Sequence, residues 1–223
     1  MKHGDNLSPM VEPKILAMTD LVSSILNAPK QGLRRVIAIA GPPGSGKSTL
    51  AKDLVPLITQ AGAIAQVVPM DGFHLDNRIL IERNLIQFKG SPSTFDVRGF
   101  IELISRLSNE PEIIFPKFDR DKDLAVAGAG FVSETCDLVL VEGNYLLLDA
   151  PLWRDLMKYW DFSVFLDVEK SILRERLMQR WLNQRLSLDQ AKKRLKDNDF
   201  VNLETVVRDS SVADVTFVNS GLA

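Results

Sequence analysis

The residue types and spacing most able to do chemistry lie in Gly41-Pro42-Pro43-Gly44-Ser45-Gly46-Lys47-Ser48-Thr49. The stretch fits the pattern G-x-x-x-x-G-K-S/T in full. Glycines at 41, 44 and 46 let the backbone turn successive N–H groups toward phosphate oxygens. Lys47 carries a mobile positive charge to the β and γ phosphates of a nucleoside triphosphate. The Ser48 hydroxyl is a ligand of the kind Mg²⁺ takes, and Ser45 and Thr49 complete the cradle. Such a loop says that a triphosphate is bound. It does not choose a reaction, because motors, GTPases and small-molecule kinases all carry it.

Two acids follow at the ends of apolar runs. Leu138-Val139-Leu140-Val141-Glu142-Gly143 reads as a buried strand ending in a carboxylate, placed to hold Mg²⁺ directly or through water. Val67-Val68-Pro69-Met70-Asp71-Gly72-Phe73-His74 puts Asp71 at a second strand end. If these strands neighbour the one before the loop, both acids share the ligand-binding edge of a sheet. Asp71 can then take the proton of a hydroxyl that attacks the γ-phosphate. The competing readings are a plain Asp-Gly turn at Asp71 and a solvated strand end at Glu142. Arg176 and Arg180 are spaced to share one helix face within Ser171–Trp181. Two guanidinia there can neutralise a phosphoryl group in transfer, and the competing reading is a solvated charged face. The basic run at Lys192, Lys193, Arg194 and Lys196 reads as a solvated face.

These residues need a scaffold. Arg34 to Ala40 is an unbroken apolar run after two arginines and reads as a buried parallel strand leading into the loop. Further strands are predicted over 63–68, 138–141, 162–166 and 215–218. Helices are predicted over 11–28, 47–60, 97–107, 152–159 and 171–186. The alternation predicts an α/β fold: three αβα layers, a doubly wound parallel sheet and helices on both faces. Two apolar runs around Asp119–Asp123 predict a small hairpin at the sheet's rim, over 112–126. The expected division is a tail and helix over 1–33, then one domain over 34–223.

Composition narrows the partners. The 223 residues carry a formal net charge of -2, which gives no electrostatic case for nucleic acid or an anionic membrane. A single cysteine, Cys136, excludes an internal disulfide and suits a reducing compartment, and it reads as a small core residue. No stretch has the length of a membrane span, so a cytoplasmic protein is expected. Two distant histidines, His3 and His74, make no zinc site.

Together, Gly41–Thr49, Asp71-Gly72-Phe73-His74 and Val141-Glu142-Gly143 resemble the uridine kinase, phosphoribulokinase and bacterial pantothenate kinase superfamily of P-loop kinases. Lys89-Gly90-Ser91-Pro92-Ser93-Thr94-Phe95-Asp96-Val97 is similar to the substrate-side segment of its pantothenate and uridine kinase branches. Phe115-Pro116-Lys117-Phe118-Asp119 is similar to its Pro-x-Tyr-Asp hairpin, with Phe118 in the tyrosine's place. Met70-Asp71-Gly72-Phe73-His74-Leu75-Asp76-Asn77 is nearest to a bacterial uridine-kinase-like branch associated with fructose transport.

The resemblance implies an ATP- and Mg²⁺-dependent phosphotransferase whose acceptor is an alcohol. It assigns Asp71 as catalytic base and Ser48 and Glu142 to Mg²⁺. It assigns Asp96 to substrate hydroxyls, and Phe73, His74 and Phe118 to the acceptor pocket. A helical lid over about 171–200 would bring Arg176 and Arg180 onto the triphosphate, with Asn198 and Asp199 near the adenine. The missing tyrosine at Phe118, and the lack of a histidine in Asp119–Asp123, depart from the nucleoside-reading pattern. The expected acceptor is a small hydroxylated molecule, a sugar such as fructose or a nucleoside such as uridine. A pantothenate-like acceptor, or a regulatory NTPase using water, are the alternatives. A homo-oligomer is left open.

Overall fold

Val36 to Ala40 is apolar at every position, so a strand made from it must be covered on both faces. The computed structural model describes residues 16–218. The polar tail, His3 and the front of the first predicted helix lie outside them. The strands are β1 (Arg35–Ala40), β2 (Ala65–Pro69), β3 (Ile113–Asp119), β4 (Leu124–Val132), β5 (Leu138–Gly143), β6 (Phe162–Asp167) and β7 (Val215–Val218). Five of them form one parallel sheet in the order β2-β5-β1-β6-β7, with β1 at its centre.

The helices are α1 (Met18–Asn27), α2 (Lys47–Gln60), α3 (Asn77–Glu82), α4 (Val97–Leu107), α5 (Lys170–Asn183), α6 (Leu188–Arg194) and α7 (Phe200–Asp209). The two-residue period of β1 shows how the layers form. Ile37 and Ile39 pack with Leu21, Ile25, Leu50 and Leu54 of α1 and α2. Val36, Ala38 and Ala40 pack on the other side with Phe100 and Ile104 of α4. Two apolar layers on one sheet give the expected three-layer αβα arrangement.

Two predicted elements differ in the structure, and one feature was not predicted. The predicted helix over 152–159 is a 3-10 turn, Trp153–Tyr159. The hairpin is longer than predicted, because β4 runs on to Val132 and pairs with Ile113. Between α6 and α7 the chain makes a π-helical turn, Leu195–Asp199, a feature frequent at functional sites.

The hairpin stands apart from the main sheet but is fastened to it. Arg34 is fully buried and donates to Leu107 O at 3.0 Å, Pro111 O at 2.6 Å and Cys136 O at 3.4 Å. One guanidinium therefore ties the end of α4 and the root of the hairpin to the start of β1. Cys136 beside it is buried, and burial pushes its thiol up. That is the core role its surroundings in the sequence suggest.

Register sets the working edge of the sheet. Ile39 pairs with Glu142, Ala40 with Gly143, and Pro69 with Glu142. The phosphate loop, Glu142 and Asp71 thus leave neighbouring strands at the same level.

Candidate active site

The loop after β1 is shaped by glycines in backbone regions that side chains avoid. Gly44 has φ +81° and Gly46, which precedes α2, has φ +94°. A Cβ on Gly44 would also meet Leu177 Cγ of α5 at 3.1 Å. The loop opens α2 at Lys47, so a helix N-terminus faces the anion site. Lys47 is buried, and its Nζ donates to Pro42 O at 2.9 Å. Burial pulls its ammonium down to about 8, against the weaker opposing pull of Glu142 and Asp71. A buried lysine with so little charge compensation is set to gain from arriving phosphates.

Glu142 is buried at the end of β5 and accepts from Ser48 Oγ at 3.0 Å. Burial, then the nearby Asp71 carboxylate, pushes its pKa up. Mg²⁺ keeps most of its shell as water and phosphate oxygen, so a hydroxyl and one carboxylate are the protein donors it needs. Among the described residues no cluster of three or more His, Cys, Asp or Glu could hold a metal by itself. The Ser48–Glu142 pair therefore fits Mg²⁺ delivered with a triphosphate. Gly143 follows, and a Cβ there would lie 2.6 Å from Cβ of Met70, the residue before Asp71. Absence of that one carbon lets the turn bearing Asp71 close onto the strand bearing Glu142.

Asp71 lies in a 3-10 turn, Met70–Phe73, three-quarters shielded from solvent. Its Oδ2 accepts from Arg120 Nη2 at 2.7 Å. Arg120 is half exposed, so the pair adds only about 0–1 kcal/mol to stability. His74 Nδ1 lies 2.7 Å from Asp71 O. A carbonyl can only accept, so the proton is on Nδ1. Burial holds the ring's pKa down, leaving Nε2 an acceptor at neutral pH. Its ring packs on Phe95 and Phe118, with centroids 4.1 and 4.7 Å away. Lys89 runs beneath Phe118 and is held by Asn77 Oδ1, Asp123 O and Asp123 Oδ1 at 2.7 to 3.0 Å.

One pocket of about 490 Å³ takes in Gly44, Gly46, Lys47, Ser48, Thr49, Asp71, His74, Phe118, Glu142 and Arg180. Burial, then Arg120, lowers the Arg180 pKa even though the open pocket leaves part of that side chain wet. Gly41 and Ser45 are buried residues of the loop and do not line the pocket.

Three other expected residues are elsewhere. Asp96 is the exposed N-cap of α4, and its Oδ1 accepts from Gly99 N at 2.9 Å. One oxygen of its carboxylate caps the helix, and the residue does not line the pocket. Phe73 is half-buried and packs on Phe100 at 5.1 Å, against the core. Arg176 donates toward Gly44 O and Ser45 O at 3.4 Å, bracing the loop from outside.

The pocket also contains residues the sequence reading did not assign: Lys89, Arg120, Asn144, Gln184 and Arg194. Arg194 belongs to the run read as a solvated face. Instead its guanidinium stacks on Trp181 at 4.3 Å, with a buried Nε that has no partner among the described residues. Trp181 Nε1 donates to Asp199 Oδ2 at 2.6 Å, whose pKa burial raises. Arg120 had a sequence signal, since it follows Pro116-Lys117-Phe118-Asp119 directly. Arg194 had none, because its contact is with Trp181 of a different helix.

A triphosphate cradle, a hydroxyl–carboxylate pair for Mg²⁺ and a further carboxylate facing them across one pocket define a P-loop phosphotransferase. A model of the phosphoribulokinase / uridine kinase family matches residues 36–217, and the chain belongs to that family. It is a kinase whose acceptor is the hydroxyl of a small molecule. A crystal structure described as a "putative fructose transport system kinase" from Silicibacter sp. TM1040 is 44% identical, with a TM-score of 0.87. The match covers 91% of this chain and 99% of that one. The Escherichia coli protein YggC, described as uncharacterized, is 39% identical over 184 residues, 82% of this chain and 76% of its own. A "putative uridine kinase" of Schizosaccharomyces pombe is 30% identical over 213 residues, covering 91% of both. Among the described residues no helix is long and apolar enough to cross a membrane.

Proposed function

We propose that the chain transfers the γ-phosphoryl group of ATP to a hydroxyl of a sugar such as fructose or a nucleoside such as uridine. The observation that carries this reading is Asp71, held at the level of Glu142 and across one pocket from Lys47 and Ser48. Lys47 and the N-terminus of α2 bind the triphosphate. Mg²⁺, when bound with it beside Ser48 and Glu142, withdraws charge from the phosphate oxygens. Asp71 orients the acceptor hydroxyl and takes its proton. Arg180 faces the transferring group from α5, and Arg176 stiffens the loop that cradles it.

The acceptor wall supports a polyhydroxylated molecule. His74 Nε2 accepts a hydroxyl, Phe118 offers an apolar face, and Asn144 supplies an amide. The descriptions of two relatives, one naming fructose transport and one uridine kinase, agree with that chemistry. Phe118 brings no phenolic hydroxyl, which leans the wall toward a sugar. Asn198 and Asn202 line the same pocket, and Asn198 Nδ2 donates to Lys89 O at 2.9 Å.

The test is ATP consumption measured across fructose, other sugars, nucleosides and pantothenate, with the product's mass determined. Turnover with fructose or uridine and a mass gain of one phosphoryl group is expected. ATP consumption that is the same with and without every alcohol would instead mean that water is the acceptor.

A further inference from the structure

The hairpin brings a cation to the centre of the pocket, and its placement is built in. A Cβ on Gly72 would collide with Pro116 O, so β3 lies directly against the turn that carries Asp71. At the hairpin's tip, Asp119 Oδ1 accepts from Asp121 N and Lys122 N, each at 3.1 Å, which closes the turn and projects Arg120. Arg120 spends one Nη2–H on Asp71 Oδ2 at 2.7 Å. A guanidinium has five N–H donors, and the others have no hydrogen bond among the described residues. Its charge is also close enough to act on Lys47, His74, Glu142 and Arg180. The space enclosed by those groups and Asp71 is where a phosphoryl group must pass from donor to acceptor. An exposed ion pair contributes little to stability, so fold maintenance does not explain this arrangement.

The geometry points to Arg120 as a catalytic residue of the transfer, one that holds Asp71 with one N–H and the oxygens of the migrating phosphoryl group with the rest. The inference rests on the phosphotransfer reading above. In the step, the acceptor oxygen forms a bond to the γ-phosphorus while the bond from that phosphorus to the β–γ bridging oxygen breaks. The electron pair leaves with ADP, and the hydroxyl proton goes to Asp71. Charge spreads over the three oxygens that stay on phosphorus. A planar fork shared between base and phosphoryl group stabilises that charge and fixes the base beside the attacking oxygen. Lys47 serves the same group from the loop and Arg180 from α5, so Arg120 is the contribution of a third, independent element.

The test uses the full chain and a mimic of the phosphoryl group in flight. Affinity for Mg–ADP is measured by calorimetry with and without aluminium fluoride, for wild type, Arg120→Ala and Arg120→Lys. A group that acts in the transition state tightens the mimic but not ADP. We expect wild type to tighten at least about tenfold with fluoride. Arg120→Ala should bind ADP within about threefold of wild type and lose the tightening, and Arg120→Lys should recover only part of it. With an alcohol that turns over, kcat of Arg120→Ala should fall by about 10² to 10³. Arg120→Gln serves as a second variant if the alanine form does not fold. Tightening retained in the alanine or glutamine form, or absent from wild type, overturns the inference. Asp71→Asn turning over like wild type would instead sink the base assignment, leaving the fluoride result to judge Arg120 on its own.

Discussion

The donor and acceptor halves of the pocket are built from different materials. The donor half is mostly backbone: a nine-residue loop, the N-terminus of α2 and the Ser48–Glu142 pair, of which the carboxylate is buried. The acceptor half is mostly side chains, brought from β3, the 3-10 turn at 70–73, the segment around Lys89 and the helices α5 and α6. Two of its charges are paired across elements: Arg120 with Asp71, and Lys89 with Asp123. Backbone cannot vary in kind, so the donor half can recognise only what every triphosphate shares. Side chains on separate elements can be exchanged singly, so the acceptor half is where relatives with one fold can differ in substrate.

The largest expected effect falls where the halves meet. Asp71→Asn should lower kcat by about 10³ while the affinity for Mg–ATP stays within a few-fold. Loss of ATP affinity in parallel with kcat would mean that the two halves are not separable. Gly143→Ala should act on both at once, because the new methyl group displaces Met70. A loss of about 1–3 kcal/mol in stability and a clear fall in kcat are expected, read by denaturant unfolding and turnover. An alanine variant that behaves as wild type would show that the acids are spaced by something else.

A donor-side prediction concerns protons. In the free protein Lys47 titrates near 8, and phosphate charge should restore its ordinary protonation. ATP binding at pH 8 should therefore take up about half a proton at this site, and much less at pH 6.5. Calorimetry in two buffers of different ionisation enthalpy reads the uptake. The sign for folding follows the same shift. The unfolded chain holds more protons between about pH 8 and 10.5, so this group's contribution to stability rises with pH across that window.

Phe118→Tyr adds a hydroxyl to the acceptor wall and nothing to the donor half. It should change the ratio of kcat/KM for uridine and fructose by up to about tenfold, with KM for ATP unchanged. The smallest effect belongs to Asp96. As the cap of α4, Asp96→Ala should cost about 1 kcal/mol and leave kcat as it was. A stable Asp96→Ala variant with a raised KM for its alcohol would return that residue to the acceptor half.

Contiguity decides how much of this was readable beforehand. Gly41–Thr49 carries its geometry in adjacent residues, and the run of strands and helices needs only local periodicity, so loop and sheet were legible. Asp71 and Glu142 could be placed because both end strands whose order a doubly wound sheet makes predictable. Asp96 shows the limit: in the sequence it stands in the substrate segment, but its Oδ1 caps the first turn of α4 and the residue does not line the pocket. Arg194 shows the opposite case. Nothing in Lys192-Lys193-Arg194 distinguishes the third residue from the first two, and only the packing of α6 on α5 brings it over Trp181. Arg176 and Arg180 share a helix face as predicted, yet one turn of separation puts the first against the loop's carbonyls and the second into the pocket.

The contact between Gly143 and Met70 works as a spacer gauge. Residues of the hairpin and of α5 and α6 can be replaced without entering that contact. The distance between Asp71 and Glu142 is thereby insulated from changes elsewhere in the pocket wall. A chain built this way can explore new substrates while its reaction geometry stays in calibration.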